Sequence, residues 1–388
     1  MSGVDLSHGF TTFEIQDFNG FGLAQDNHAA LLSHSLCHHP MSFIILFPLI
    51  AGALTAYLLG WPGYWLLGRL GVIDKPNARS SHGVPTVRGG GVSIIVTILG
   101  AIILWMWLEA GAGAQKTILA AMGGSVLVLA GVSFMDDLRS VGARLRFGCH
   151  AAAALAVLLT AGIPRTALGG NLGVLVSAGL ALVGFLWIAG HTNAFNFMDG
   201  INGLAAGQAV ITGLATAGLA LAVGLPPGHP VIWLALATAG AAAGFFPHNF
   251  PRARMFMGDV SSAPLGFLLA ALGWWLACES GWWLLLPVGL IHANFVLDTG
   301  FTLMRRVLRG ERWHEPHREH FYQRLVRSGR SHAYVTLREL ALQSISALAV
   351  ISAVRAGGGW VLLAAVSVVA AWTLFFMHAE RGFRALKP

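Results

Sequence analysis

The chain has 388 residues, of which 55% are hydrophobic and only 11% are Asp, Glu, Lys or Arg. A soluble domain carries about 25% charged residues, so a water-soluble fold of this size is excluded and an all-α, polytopic integral membrane protein is expected. The net charge of +7 points to basic loops beside anionic lipid rather than to nucleic acid.

Residues 1–40 are polar and His-rich and contain no Lys or Arg. They lack the basic and apolar regions of a secretory signal. They are expected to be a disordered leader or a mis-assigned start, with Met41 opening a single polytopic domain over 41–388. Eleven apolar stretches follow, at about 43–68, 92–109, 117–135, 147–163, 172–190, 205–224, 231–246, 263–279, 282–304, 336–354 and 358–377. Most are close to the roughly 20 residues that span a hydrocarbon core. Abundant Gly (49 residues) suits close helix packing. Cys37, Cys149 and Cys278 are too dispersed for a disulfide framework or a zinc site.

Lys and Arg set the expected orientation. With the 71–91 loop placed in the cytoplasm, every cation except Lys116, Arg165 and Arg355 falls inside. The same alternation puts every polar cluster on that face.

The first cluster, IDKPNARSSHGVPTVRGGG (73–91), sets Arg79, His82 and Arg88 among prolines and glycines. Cations and exposed amides in a loop of fixed shape suit a phosphate, or simply a positive-inside loop. The second, FMDDLRSVGARLRF (134–147), holds adjacent Asp136 and Asp137. Neighbours on a helix point roughly 100° apart, so the two carboxylates need not share one partner. Such a pair suits Mg²⁺ or a base beside a metal, or caps a solvated loop. The third, HTNAFNFMDGINGLAAG (191–207), carries Asn193, Asn196 and Asp199 with no Lys or Arg. Its amides suit a base or sugar, or make turns. In FPHNFPRARMFMGDVSSAPLGF (246–267), Asp259 precedes a new apolar helix and Phe256 could stack on a base; Asp-x-Ser-Ser is also a helix cap. The last, RRVLRGERWHEPHREHFYQRLVRSGRSH (305–332), is the most basic and holds His317, Arg318 and His320. Together these clusters describe a site for a nucleotide diphosphate at a membrane surface.

In order and spacing, these five motifs resemble the polyprenyl-phosphate N-acetylhexosamine-1-phosphate transferases of the glycosyltransferase 4 family, over about 43–377. The resemblance implies transfer of N-acetylhexosamine 1-phosphate from a UDP-sugar to undecaprenyl phosphate, releasing UMP, with Mg²⁺ or Mn²⁺. It implies a multi-pass protein of the bacterial inner membrane with a cytoplasmic site, and it leaves room for a homodimer. Asp136, Asp137 and His320 take catalytic roles in it, and Asp259 with Asp137 the metal. Arg79, His82, Arg88, Asn193, Asn196, Asp199, Asn249, Phe256, His317 and Arg318 are implied to bind substrate. The last motif departs from the pattern. It reads His320-Phe321-Tyr322-Gln323 where the muramoyl-pentapeptide transferases have consecutive histidines. That resembles the branch initiating O-antigen or capsule units, often on 6-deoxy sugars.

The main rival reading is a transporter of a phosphorylated or nucleotide-linked substrate. It would place ionisable residues at mid-membrane, in broken helices.

Overall fold

The structure, a computed structural model, describes residues 41–76, 83–111, 113–139, 141–165, 170–311 and 317–385. Arg79 and His82, and the expected leader, lie outside the described residues.

Thirteen helices make up the described chain, with one two-stranded ribbon. Helix α1 (Met41–Arg69) leads into strand β1 (Ile73–Asp74), which pairs antiparallel with β2 (Thr86–Val87) in the register Ile73↔Val87. Helices α2 (Val92–Leu108), α3 (Gly113–Leu138), α4 (Ala143–Ala161), α5 (Gly170–Met198), α6 (Leu204–Ala222), α7 (Pro230–Asn249) and α8 (Asp259–Ser280) follow. Then come a 3-10 turn (Trp282–Leu284), α9 (Leu285–Ile291), α10 (Ala293–Leu308), the short α11 (Phe321–Arg327), α12 (His332–Ala356) and α13 (Trp360–Arg384).

Each of the eleven apolar stretches coincides with helix. Nine helices among the described residues are long and apolar enough to cross a membrane, and α2, at 17 residues, is shorter. The stretch expected at 282–304 is broken: its two halves meet at 83° around His292, and they make a tenth span only if counted together.

Helix α8 occupies the centre. Its most apolar 18-residue window is wholly buried, whereas those of α1, α4, α5 and α13 bury 22%. Leu159, Trp107 and similar exposed side chains cover an outer surface that suits lipid rather than water. Lipid and protein interior are equally apolar, so close packing rather than hydrophobic burial must hold such helices together. The α1–α7 contact shows how. A Cβ added at Gly240 would lie 2.2 Å from the Leu49 carbonyl oxygen, and one at Gly244 would lie 2.1 Å from that of Ala53.

Candidate functional site

Contacts between helix termini gather the polar motifs at one end of the bundle. Arg88, before α2, reaches Asp137 at the end of α3 and Asp259 at the start of α8. Asp136 on α3 meets Arg146 on α4. The Tyr322 hydroxyl of α11 donates to the Phe197 carbonyl of α5 at 3.0 Å, and Thr336 of α12 donates to the Asn202 carbonyl at 2.8 Å.

Both aspartates of the FMDD stretch sit in the last turn of α3, where the helix dipole disfavours an anion. Their positions are held by partners instead, and they diverge as helical neighbours must. Asp136 turns to α4: its Oδ2 accepts from Arg146 Nη1 at 2.7 Å, and its Oδ1 accepts from the Val141 amide at 2.7 Å. Asp137 turns inward and its side chain is fully buried. Its oxygens accept from the Asp259 and Val260 amides at 3.3 and 3.2 Å, and Oδ1 lies 2.8 Å from Arg88 Nη2. A carboxylate on exposed amides at the start of a helix is a favourable pairing.

The same Arg88 nitrogen donates to Asp259 Oδ1 at 3.0 Å, and Asp259 Oδ2 stands 3.9 Å from Arg146 Nη1. Burial lowers the pKa of Arg88, but the fields of Asp137, Asp259 and Asp74 outweigh it and raise the pKa overall. The arginine is positioned by backbone pairing. The Phe256 amide donates to the Val87 carbonyl at 2.8 Å, and the Gly90 amide returns a bond to the Phe256 carbonyl at 2.9 Å. The first loop and the MFMGD segment thus form one unit, with the Phe256 ring half-buried beside it.

Asp199 lies in the turn after α5. Burial of its carboxyl, with Asp259 and Asp137 adding negative charge and Arg88 opposing, pushes it up to about 7; the residue as a whole is half-buried. This shift has a testable sign. The unfolded carboxyl ionises near its ordinary value of 3.8, while the folded one holds its proton to about 7. The folded state therefore binds more protons across that window, and this group loses stability as pH rises through it. In protein kept in EDTA, Asp199→Asn should gain thermal stability relative to wild type between pH 5 and pH 8. A difference that stays constant with pH would remove Asp199 from the cluster.

Two asparagines bond to backbone. Asn249 is buried, its Oδ1 accepts from the Gly203 amide at 2.6 Å, and its Nδ2 donates to the Met255 carbonyl at 3.0 Å. These two bonds tie the 199–203 turn to the MFMGD segment. Asn193 donates to Ala189 of its own helix at 2.9 Å. It lies six residues before Asp199, or about 9 Å of helix rise. Asn196, in the last turn of α5, is half-buried.

His320 precedes α11. Its Nδ1 lies 3.0 Å from Oδ1 of Asp298, a wholly buried residue of α10. The Phe321 and Tyr322 amides donate to the same carboxylate at 3.1 and 3.3 Å. A carboxylate on one ring nitrogen fixes the tautomer and orients the other. His317 packs on His320 with ring centroids 4.9 Å apart. Burial, with His320 and Arg306 nearby, lowers the pKa of His317 to about 4, so its ring is neutral near pH 7. Arg318 is half-buried, and its carbonyl accepts from Arg327 at 3.2 Å.

Sequence reasoning missed Arg146 and Asp298. In the sequence Arg146 stands out only as a topology charge, and Asp298 lies inside an apolar stretch. An acidic residue inside a membrane helix was the available signal for Asp298.

The fold and site define a multi-pass helical membrane protein with a carboxylate–guanidinium cluster at one end of its bundle. Residues 118–277 match the family model of glycosyl transferase family 4. The chain is 32% identical over 324 residues to decaprenyl-phosphate N-acetylglucosaminephosphotransferase of Mycobacterium tuberculosis (strain ATCC 25618 / H37Rv), covering 77% of this chain and 79% of that one. It is 28% identical over 275 residues to the "Probable undecaprenyl-phosphate N-acetylglucosaminyl 1-phosphate transferase" of Bacillus subtilis (strain 168), covering 68% and 72%. It is 32% identical over 244 residues to phospho-N-acetylmuramoyl-pentapeptide-transferase of Streptococcus suis (strain 05ZYH33), covering 60% and 69%. The chain belongs to glycosyl transferase family 4.

Proposed function

We propose that the protein transfers N-acetylhexosamine 1-phosphate from a UDP-sugar to undecaprenyl phosphate on the cytoplasmic side of a bacterial inner membrane. The observation that carries this reading is the convergence of Asp136, Asp137, Asp199 and Asp259 with Arg88 and Arg146 at one end of the helices. An oxygen of the lipid phosphate forms a bond to the sugar-bearing phosphorus. The bond from that phosphorus to the uridylyl oxygen breaks, and UMP leaves as the anion. The products are UMP and a lipid-linked diphosphate sugar.

Such a reaction is mostly positioning and charge neutralisation. Arg88 and Arg146 offset the charge of two approaching phosphates. Among the described residues no three His, Cys, Asp or Glu side chains form a closed metal cage. Mg²⁺ does not need one: it commonly takes one or two carboxylates and completes its shell with water and substrate phosphates. Hard oxygen donors and four carboxylates facing two guanidinium groups fit it, with Mn²⁺ the alternative. Asp259 with Asp137, the pair that the resemblance implies, would hold the ion, with Asp199 nearby; both Asp137 and Asp259 face the same Arg88 nitrogen, at 2.8 and 3.0 Å. When bound, Mg²⁺ would neutralise charge on the transferring phosphate.

The donor is an N-acetylhexosamine, and the relatives named for N-acetylglucosamine favour that sugar over a 6-deoxy one. The test is UMP release by purified protein with undecaprenyl phosphate, across a panel of UDP-N-acetylhexosamines that includes 6-deoxy sugars, with and without EDTA. Metal-dependent UMP formation with one donor names the sugar. Release unaffected by EDTA would sink the metal assignment, and no release with any donor would sink the reaction.

The buried dyad makes a separate prediction. His320→Ala should lower kcat by roughly 10²-fold or more, the usual worth of a positioned acid–base or binding group. Asp298→Asn, which disturbs the tautomer but leaves the ring, should cost less. A wild-type rate in His320→Ala would demote the loop to a lipid contact.

A further inference from the structure

A cavity of about 500 Å³ opens where α10, α11 and α13 end, lined by Arg309, Arg324, Arg327 and Arg384 with Glu319 and Glu380. It shares no residue with the aspartate cluster. Four guanidinium groups face two carboxylates, leaving a surplus of two positive charges. Glu380 pairs with Arg324 and with Arg384, and Glu319 lies 3.3 Å from Arg324. These carboxylates fix the arginines in place without cancelling them. Phe383, also in the lining, packs against Arg324 and Arg327, whose guanidinium carbons lie 5.0 and 4.7 Å from its ring centroid. The planes are thereby pre-oriented, which favours a tetrahedral oxyanion over a diffuse counter-ion.

The surroundings specify what the oxyanion is attached to. Helices α10 and α13 carry outward apolar faces toward the cavity. Leu308, beside Arg309, is 79% exposed, and Met377, two turns before Arg384 on the same face of α13, is 42% exposed. These faces suit acyl chains and stop where the arginines begin. We propose that this cavity binds the phosphodiester headgroup of an anionic phospholipid, with its chains lying along the outer faces of α10 and α13. Basic pockets between membrane helices are suited to such headgroups.

The full chain, purified in neutral detergent and stripped of lipid, provides the test. Dioleoylphosphatidylglycerol should raise the unfolding temperature by on the order of 2 °C or more, and dioleoylphosphatidylcholine by less than half of that. Arg309→Ala combined with Arg384→Ala should lose at least half of the phosphatidylglycerol shift, and the matching Lys pair should keep most of it. If the double Ala protein does not fold, Arg384→Ala alone serves, since Arg384 is the most exposed of Arg309, Arg324 and Arg384, the lining arginines in ion pairs (51%, 6% and 74%). Equal shifts with the two lipids, or a full shift in the Ala variant, would overturn the proposal. So would inorganic phosphate reproducing the shift at matched ionic strength, which would make this a free-anion site. Displacement of the lipid by UDP would assign the cavity to the nucleotide donor instead.

Discussion

Asp259→Asn is expected to abolish transfer, by roughly 10³-fold or more, while the protein still inserts and unfolds within a few degrees of wild type. The shapes of Asp and Asn are nearly identical, and the Asp259 amide that supports Asp137 is untouched. What disappears is a negative charge at the mouth of the cluster, 3.0 Å from Arg88 and 3.9 Å from Arg146. With that charge gone, both guanidinium groups lose a fixed partner and a cation loses its most open oxygen donor. Folded protein and lost turnover, shown by unfolding temperature and UMP release on one preparation, would support the assignment. Activity within tenfold of wild type would remove Asp259 from the reaction.

Gly258→Ala should fail for a different reason. Gly258 has φ +77°, and an added Cβ would sit 2.8 Å from Asp137 Oδ2 and 3.0 Å from the Gly89 amide nitrogen. The substitution therefore imposes left-handed strain of about 1–3 kcal/mol and also drives Asp137 off the start of α8. Gly71→Ala separates the two effects. Gly71 has φ +72°, with nothing within 4 Å of the added carbon. It should lose about 1 kcal/mol of stability and keep its activity, whereas Gly258→Ala should lose activity by about 10² or more. Equal rates in the two variants would show that the packing around Asp137 does not matter for turnover.

Much of this was legible from residue order because membrane helices announce themselves by hydropathy and the chemistry sits at their ends. The divergence of Asp136 from Asp137 followed from helical geometry alone. The break at His292 did not, because 282–304 reads as one apolar run, and nothing local tells a bend from a straight span. The buried pairing of Asp298 with His320 joins residues 22 apart, so tertiary packing chose it. The asparagines show a different limit. An amide looks the same in sequence whether it faces substrate or ties backbone together, and Asn249 spends both of its polar atoms on backbone.

The position of α8 has a consequence for how the protein meets different bilayers. A change in membrane thickness acts first on lipid-facing helices, which adjust by tilting. The helix that begins with Asp259 is wrapped by protein throughout its most apolar window. Its outer neighbours can thus lean and settle while its own frame of reference is other helices. Hydrophobic mismatch therefore acts first on the perimeter, where α4 carries Arg146 and α5 leads into Asp199, and last on the α8 end that carries Asp259.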